Sequence, residues 1–493
     1  MTIGPSHASG PCPEEQLLDY VRPGEWKNPQ RKDVYDLAII GAGPAGLAGA
    51  EMAIRLGVRV ALVERHWLGG NSLNRGSIPS KAIIRSARLY AAIPEAEGLC
   101  TSPIGQPRVD FAAVMARMRR IRARIAEYHS ADRLRDAGID VYFGHAQFVG
   151  RNCLSIADER LKFRKALIAT GAHPRPSAIP GLEQVGYQTS DTIFDMTEMP
   201  RRLAIIGGGP LGCELAQAFS RFGSQVTIAQ NEPKFLPREE RDAAELLSRA
   251  MARDGVVIRL NTTVVNAHVE HGVRVLSTIN NETKSSIATD EILLSTGRVP
   301  NVGGLDLEAA GVDLELERGI KVDDFLCTTN GDIYSAGDVC MSHRFTNVAE
   351  VSARLAVQNA LQGERKRKSH LTIPWCTFCD PEIAHIGIQV WEARRQSIPV
   401  KTFTVMMQDV DRAITDGQDD GFVKIHVKEG TDTILGATIV ASRASEMINE
   451  LSVVMSAGIG MRDLANVLHI YPAQCDAIQL AAMAYEEDQR ISS

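Results

Sequence analysis

The chain reads as an α/β protein made of two doubly wound βαβ units and a C-terminal α+β module, and three observations predict this. The apolar run Leu-Ala-Ile-Ile at 37–40 leads into a glycine turn, a helical stretch and a second apolar run at 58–63. The same order returns at 202–206, 207–212 and 225–229. After about residue 370 the texture changes to alternating runs, at 421–427 and 434–440, followed by helical stretches, which is the pattern of an antiparallel sheet with helices.

Taken in order, residues 1–34 are rich in Gly, Pro and charge, with a short helix expected around 16–20. They form an extension, expected to lie on the surface or on a partner subunit. Residues 35–175 form the first part of one nucleotide-binding domain, 176–295 a second such domain, 296–369 the return of the chain to the first, and 370–493 the terminal module. A chain of 493 residues is long for one core and calls for several.

Composition narrows the function classes. The formal net charge of -6 argues against nucleic acid and anionic membrane, both of which favour a basic surface. The arginines at 117, 119, 120, 122 and 124 are the local exception. Phe111, Met115, Met118, Ile121, Ile125 and Tyr128 recur at helical spacing there, so the arginines are expected on a solvated face. No apolar run reaches the ~18 residues that span a bilayer, and no secretory start is visible, so a cytoplasmic protein without membrane insertion is expected. Nine scattered cysteines fit a reducing compartment, where they pack as small apolar side chains.

In the first unit Gly41, Gly43 and Gly46 form Gly-x-Gly-x-x-Gly directly after a strand, and Glu64 follows 23 residues beyond Gly41. The glycines permit a tight turn and the approach of a pyrophosphate to a helix N-terminus, while the carboxylate suits a ribose hydroxyl pair. Strand, helix and acid together make this a Rossmann-like dinucleotide site. Gly207, Gly209 and Gly212 supply a second fingerprint, but there the ribose acid is replaced by Gln230. Glutamine neither repels a 2′-phosphate nor pairs with one, and the reading leans to NADH over NADPH.

The segment Gly69-Gly-Asn-Ser-Leu-Asn-Arg-Gly-Ser-Ile-Pro-Ser-Lys81 resembles the Gly-Gly-x-Cys-x-x-x-x-Cys-x-Pro-Ser-Lys signature of the pyridine nucleotide-disulfide oxidoreductases, and is most similar to their mercuric reductase-like and dihydrolipoamide dehydrogenase-like members. The resemblance covers roughly 36–490 and includes Ala169-Thr-Gly-Ala172, Ser295-Thr-Gly-Arg-Val-Pro-Asn301 and Tyr334-Ser-Ala-Gly-Asp338. It implies FAD in the first unit, NAD(P)H in the second, and a homodimer formed through the C-terminal domain. It further implies FAD contacts at Thr170, Gly171, Gly337 and Asp338, cofactor contacts at Gly297 and Arg298, and a Lys81–Glu214 pair beside the flavin.

Ser72 and Ser77 stand where that family keeps its redox-active cysteines. A hydroxyl has no accessible anion near neutrality and forms no stable oxidised dimer, so a disulfide relay is not possible at these two positions. The family's C-terminal His-x-His-Pro-Thr-x-x-Glu is also altered. Here it reads His469-Ile-Tyr-Pro-Ala-Gln-Cys-Asp476, with Tyr471 in place of the histidine that serves the thiol. Cys376 and Cys379 form a Cys-x-x-Cys in a stretch similar to the start of the family's dimerisation domain, which gives no reason for an activated thiol. Cys475 is the other cysteine weighed as a substitute, and no metal site is expected.

The sequence therefore leads to an FAD-dependent NAD(P)H oxidoreductase whose electrons leave the flavin for a small non-disulfide acceptor, quinone-like or one-electron. Lys81, Glu214, Ser72, Ser77 and Tyr471 are its catalytic candidates. A soluble pyridine nucleotide transhydrogenase-like enzyme, which the incomplete thiol pair and the Tyr-Pro loop also resemble, is the alternative. A non-catalytic flavoprotein acting as redox sensor or partner-binding protein is the third reading.

Overall fold

The computed structural model describes residues 12–30, 32–99, 108–157 and 159–492. Its first sheet has seven strands: a parallel part in the order Ile139–Phe143, Val60–Glu64, Tyr35–Ile40, Glu159–Ile168, continued antiparallel by Cys153–Ile156 and Ala146–Gly150. Ile333–Ser335 adds in parallel beside the C-terminal half of Glu159–Ile168. Tyr35–Ile40 and Val60–Glu64 are nearly continuous apolar runs with almost all side chains buried, as central parallel strands are, whereas Glu159–Ile168 is charged and alternating in its first half and becomes fully buried only at Ala166–Ile168. Helix Pro44–Arg55 packs closely with helix Thr346–Gln362. Gly49 makes this possible, since a Cβ there would lie 2.7 Å from Leu167 Cδ2 and 3.5 Å from Val357 Cγ2.

The second sheet is parallel in the order Val257–Arg259, Gln225–Ala229, Arg202–Ile206, Glu291–Leu294. A three-stranded antiparallel meander, Thr262–Glu270, Val273–Asn280 and Thr283–Thr289, precedes its last strand. The C-terminal sheet has five antiparallel strands in the order Pro374–Thr377, Glu382–Gly387, Ile434–Ala441, Phe422–Lys428, Val400–Met406. Helices Ala444–Ser456 and Asp476–Ser492 contribute to its core. Among the described residues no helix is long and apolar enough to cross a membrane.

The N-terminal extension lies on the surface of its own chain, where its helix Pro13–Val21 docks on helix Phe111–Ala126 and buries Leu17 and Val21; this docking corrects one expectation. The arginine face is consequently not uniformly solvated. Arg120 and Arg124 are exposed, but Arg122 is 2% exposed and pairs with Glu14. Arg122 continues the stripe Phe111, Met115, Met118 at helical spacing, so a polar residue occupies an inward position and needs its partner there.

Candidate active site

Both glycine turns are sterically forced. Gly41 and Gly207 adopt φ of +99° and +101°. A Cβ on Gly46 would stand 1.8 Å from Gly41 O, and one on Gly212 2.5 Å from Gly207 O. Gly43 and Gly209 are the residues just before helices Pro44–Arg55 and Pro210–Phe222, whose first N–H groups have no partner within the helix. Gly43 lies against the Gly69-Gly70 turn, 3.7 Å from Gly70 Cα for a Cβ at that point.

The two turns are braced by the same bond from different side chains. Ala42 N–H donates to Glu64 Oε2 at 2.8 Å, and Gly208 N–H donates to Gln230 Oε1 at 2.7 Å. Glu64 Oε1 also accepts from His66 N–H at 2.7 Å. Because an N–H requires an acceptor, the Gln230 carbonyl is fixed toward Gly208. Its amide NH₂ then points away and has no protein acceptor among the described residues.

On the first nucleotide site, Gly41, Glu64, Thr170 and Asn301 line one cleft. Thr170 Oγ1 donates to Asn301 O, and Asn301 Nδ2 donates back to Thr170 O, each at 2.7 Å. Gly171 and Gly337 take positive φ, +70° and +75°, and Gly297 +104°. Asp338 keeps 21% of its side-chain surface open and has no hydrogen-bond donor among the described residues. Burial pushes its carboxyl above the usual range, and Arg298, with Nε 3.9 Å away, partly opposes this. A carboxylate left without a protein donor, next to the positive-φ Gly337, fits the polyol and phosphate chain of FAD.

Lys81 Nζ donates to Glu214 Oε2 at 2.8 Å. Glu214 is only 4% exposed, and its other oxygen accepts from Phe378 N–H at 2.9 Å. The Lys81 ammonium lies 4.3 Å from the centre of the Phe378 ring. Three parts of the chain thus fix one cation: the helix Ser77–Leu99, the helix Pro210–Phe222 and the loop after Pro374–Thr377.

Ser72 and Ser77 are brought together through a residue that sequence reasoning did not single out. Ser72 Oγ lies 2.6 Å and Ser77 Oγ 3.5 Å from Thr346 Oγ1. Thr346 is the first residue of helix Thr346–Gln362. Ser72 is half-buried and Ser77 exposed, so the cluster is open to a ligand.

Tyr471 makes no hydrogen bond to either serine within its own chain. It is 72% exposed, and its hydroxyl donates to Asp411 Oδ2 at 2.7 Å, which raises the phenol pKa. Leu468 at 97% and Ile470 at 80% exposure flank it, an apolar surface of the kind that meets another chain. His469 Nε2 sits 2.7 Å from Glu450 Oε1. Burial drives the Cys376 and Cys379 thiols well above their ordinary range, and burial also raises Cys475, so none is an activated nucleophile. Among the described residues no group of three or more His, Cys, Asp or Glu could hold a metal ion.

Comparison with known proteins accounts for this arrangement. The family model "Pyridine nucleotide-disulphide oxidoreductase" matches residues 35–362, and its dimerisation-domain model matches 373–482. A mercuric reductase of Lysinibacillus sphaericus is 30% identical over 459 residues, 93% of this chain and 84% of that protein. A dihydrolipoyl dehydrogenase of Bacillus subtilis is 30% identical over 89% of this chain and 93% of its own. Among solved structures, the HOCl-induced flavoprotein disulfide reductase RclA from Escherichia coli superimposes with a TM-score of 0.81 at 28% identity, covering 91% of this chain and 99% of RclA.

Proposed function

We propose that this chain, which belongs to the pyridine nucleotide-disulphide oxidoreductase family, is an FAD-dependent NAD(P)H oxidoreductase that hands electrons to a small acceptor without a protein disulfide. The family binds FAD and NAD(P)H and is oxidoreductive; what is proposed for this member is the exit route. One observation carries it: the Lys81–Glu214 pair is complete, while both of the family's thiol positions hold serines, whose hydroxyls cluster with that of Thr346. Bound FAD would supply hydride-accepting chemistry toward the nicotinamide and electron-donating chemistry toward the acceptor.

The residues divide the work. Glu214 holds the Lys81 ammonium in place, where it favours negative charge developing on a group bound beside it. Ser72, Ser77 and Thr346 offer hydroxyl donors and acceptors that can orient a quinone-like molecule but cannot themselves be oxidised reversibly. In a homodimer, which the dimerisation domain supports, the partner's copy of the Tyr471 loop closes the same side. With the phenol proton committed to Asp411 and its pKa raised, Tyr471 orients the acceptor without serving as an acid near neutrality.

Anaerobic addition of stoichiometric NADH should bleach the bound flavin, and a panel of quinones and one-electron dyes should restore it. The number of titratable thiols should stay constant through the cycle; a gain of two on reduction would overturn the reading.

A second reading is favoured by Gln230. With its carbonyl used by Gly208, it presents a neutral amide to the coenzyme and excludes neither NADH nor NADPH. A transhydrogenase-like activity needs such tolerance. NADPH mixed with an oxidised NAD analogue distinguishes the two, since reduced analogue forms only in that case.

A further inference from the structure

Residues 13–28 are tied to the flavin side of the molecule at three places. Leu17 and Val21, at 1% and 0% exposure, seal helix Pro13–Val21 against helix Phe111–Ala126. Arg22 donates from one terminal nitrogen to Arg65 O at 2.7 Å and His66 O at 2.9 Å, and Leu68 N–H donates to Val21 O at 3.1 Å. Trp26 Nε1 donates to Val141 O, and Asn28 exchanges two hydrogen bonds with the Phe143 backbone, closing the open edge of the first sheet.

The inner tie is a relay. The Glu14 carboxylate accepts from Arg122 at 2.8 and 2.9 Å and contacts Arg119 Nε at 3.1 Å. Arg122, itself 2% exposed, donates at 3.1 Å to the carbonyl of Asn74, a residue between Ser72 and Ser77. Asn74, 3% exposed, in turn donates to Leu68 O and Gly70 O at 3.0 and 2.8 Å. One carboxylate of the extension is thereby linked, through a buried guanidinium, to the turn that meets Gly43 and to the segment that carries both serines.

We propose that residues 13–28 are a strap that holds segment 64–77 in its flavin-binding shape, with Glu14 and Arg122 as positioning residues. The proposal rests on the FAD reading of the first nucleotide site, but not on where electrons go afterwards. Without Glu14 the guanidinium is a buried cation missing its counterion, and the polar contact it makes with Asn74 O is pulled toward whatever else can solvate it. The segment then loses its fixed register against Gly43, and FAD is held by a looser wall.

Full-length holoprotein is compared with Glu14→Leu, Arg122→Met and the double variant, measuring FAD release by the rise of flavin fluorescence and thermal unfolding in parallel. Glu14→Leu is expected to speed release at least about tenfold and to lower the melting temperature. Because the double variant has no buried charge, it should recover most of the melting temperature. It should nevertheless keep the fast release, since Asn74 O still lacks its guanidinium. A double variant that recovers both properties shows that the pair is merely structural and overturns the proposal, as does a Glu14→Leu protein that releases FAD at the wild-type rate. If Glu14→Leu does not fold, Glu14→Gln, which keeps an acceptor oxygen but no charge, should release FAD about threefold faster, and an unchanged rate overturns the proposal. A wild-type protein that binds no FAD overturns the strap and the FAD reading together, whereas a failed acceptor panel touches only the exit route.

Discussion

Lys81→Met keeps the stem of the side chain and deletes its charge, which makes it the sharpest probe of the entry side. In the protein the ammonium donates to Glu214 Oε2 at 2.8 Å and sits 4.3 Å from the Phe378 ring centre. After the change, the 4%-exposed Glu214 retains only the Phe378 N–H on Oε1. A fully buried pair broken this way loses ~3–5 kcal/mol. Lys81, however, keeps 34% of its side-chain surface in water, and that screening reduces the expected stability loss to about 1–2 kcal/mol. The kinetic effect is larger in relative terms. One preorganised group facing developing charge is worth about 10²–10³ in rate, and the same exposure places Lys81 at the lower end, near ~10²-fold or about 2.7 kcal/mol. Anaerobic stopped-flow at saturating NADH, following the flavin absorbance band, measures this step alone. Ser72→Ala removes the 2.6 Å contact with Thr346 on the other side and should change the same rate by less than about twofold. Equal slowing in the two variants, or an unaltered rate in Lys81→Met, refutes the division of labour between the pair and the hydroxyl cluster.

Three further predictions follow from the same geometry. Gln230→Glu retains the bond from Gly208 N–H but adds a charge facing the coenzyme, so the NADPH KM should rise at least about tenfold while that for NADH changes little, as steady-state kinetics will show. Burial raises the Glu239 carboxyl to about 7 against the opposing Trp375 Nε1–H bond, so the folded protein binds a proton that the unfolded chain has lost. Stability should therefore fall as pH rises from about 4.5 to about 7 and level off above, by up to ~3 kcal/mol, and Glu239→Gln should flatten that slope in thermal melts across this window. Asp411→Asn should bring the Tyr471 phenol down toward its ordinary pKa of about 10, read by ultraviolet difference titration; no change would mean that Asp411 does not hold the hydroxyl.

The two βαβ units were legible because buried parallel strands write themselves as apolar runs and because the turns tolerate no side chain: at Gly46 a Cβ would be 1.8 Å from a backbone oxygen. The Lys81–Glu214 pair was legible from its family motif, and the structure brings the two together as expected. Thr346 was not legible. It lies 274 residues from Ser72, and nothing local distinguishes a threonine that opens a helix from one that meets a distant hydroxyl. The arginine face misled for a related reason. Periodicity assigns Arg122 to the inward stripe, charge assigns it outward, and only the docking of Glu14 from an extension over 100 residues away decides between them. Tyr471 marks another limit: within one chain it meets Asp411 and not the serines, so the role proposed for it beside them requires a second copy of the chain.

The paired nucleotide turns explain how the second site departs from the first without disturbing the fold. At the first, the Glu64 carboxylate braces the turn through Ala42 N–H on Oε2 and the chain beyond its own strand through His66 N–H on Oε1. At the second, the amide of Gln230 performs the bracing role equally well at 2.7 Å, because a backbone N–H asks only for an acceptor oxygen. The fold requirement at this position is thus met by one acceptor oxygen, whether a carboxylate or an amide supplies it. The same logic governs the serines: their hydroxyls fill the space and hydrogen-bonding role beside Thr346, so the segment from Gly69 to Lys81 keeps its shape while the capacity to form a disulfide is gone from those positions.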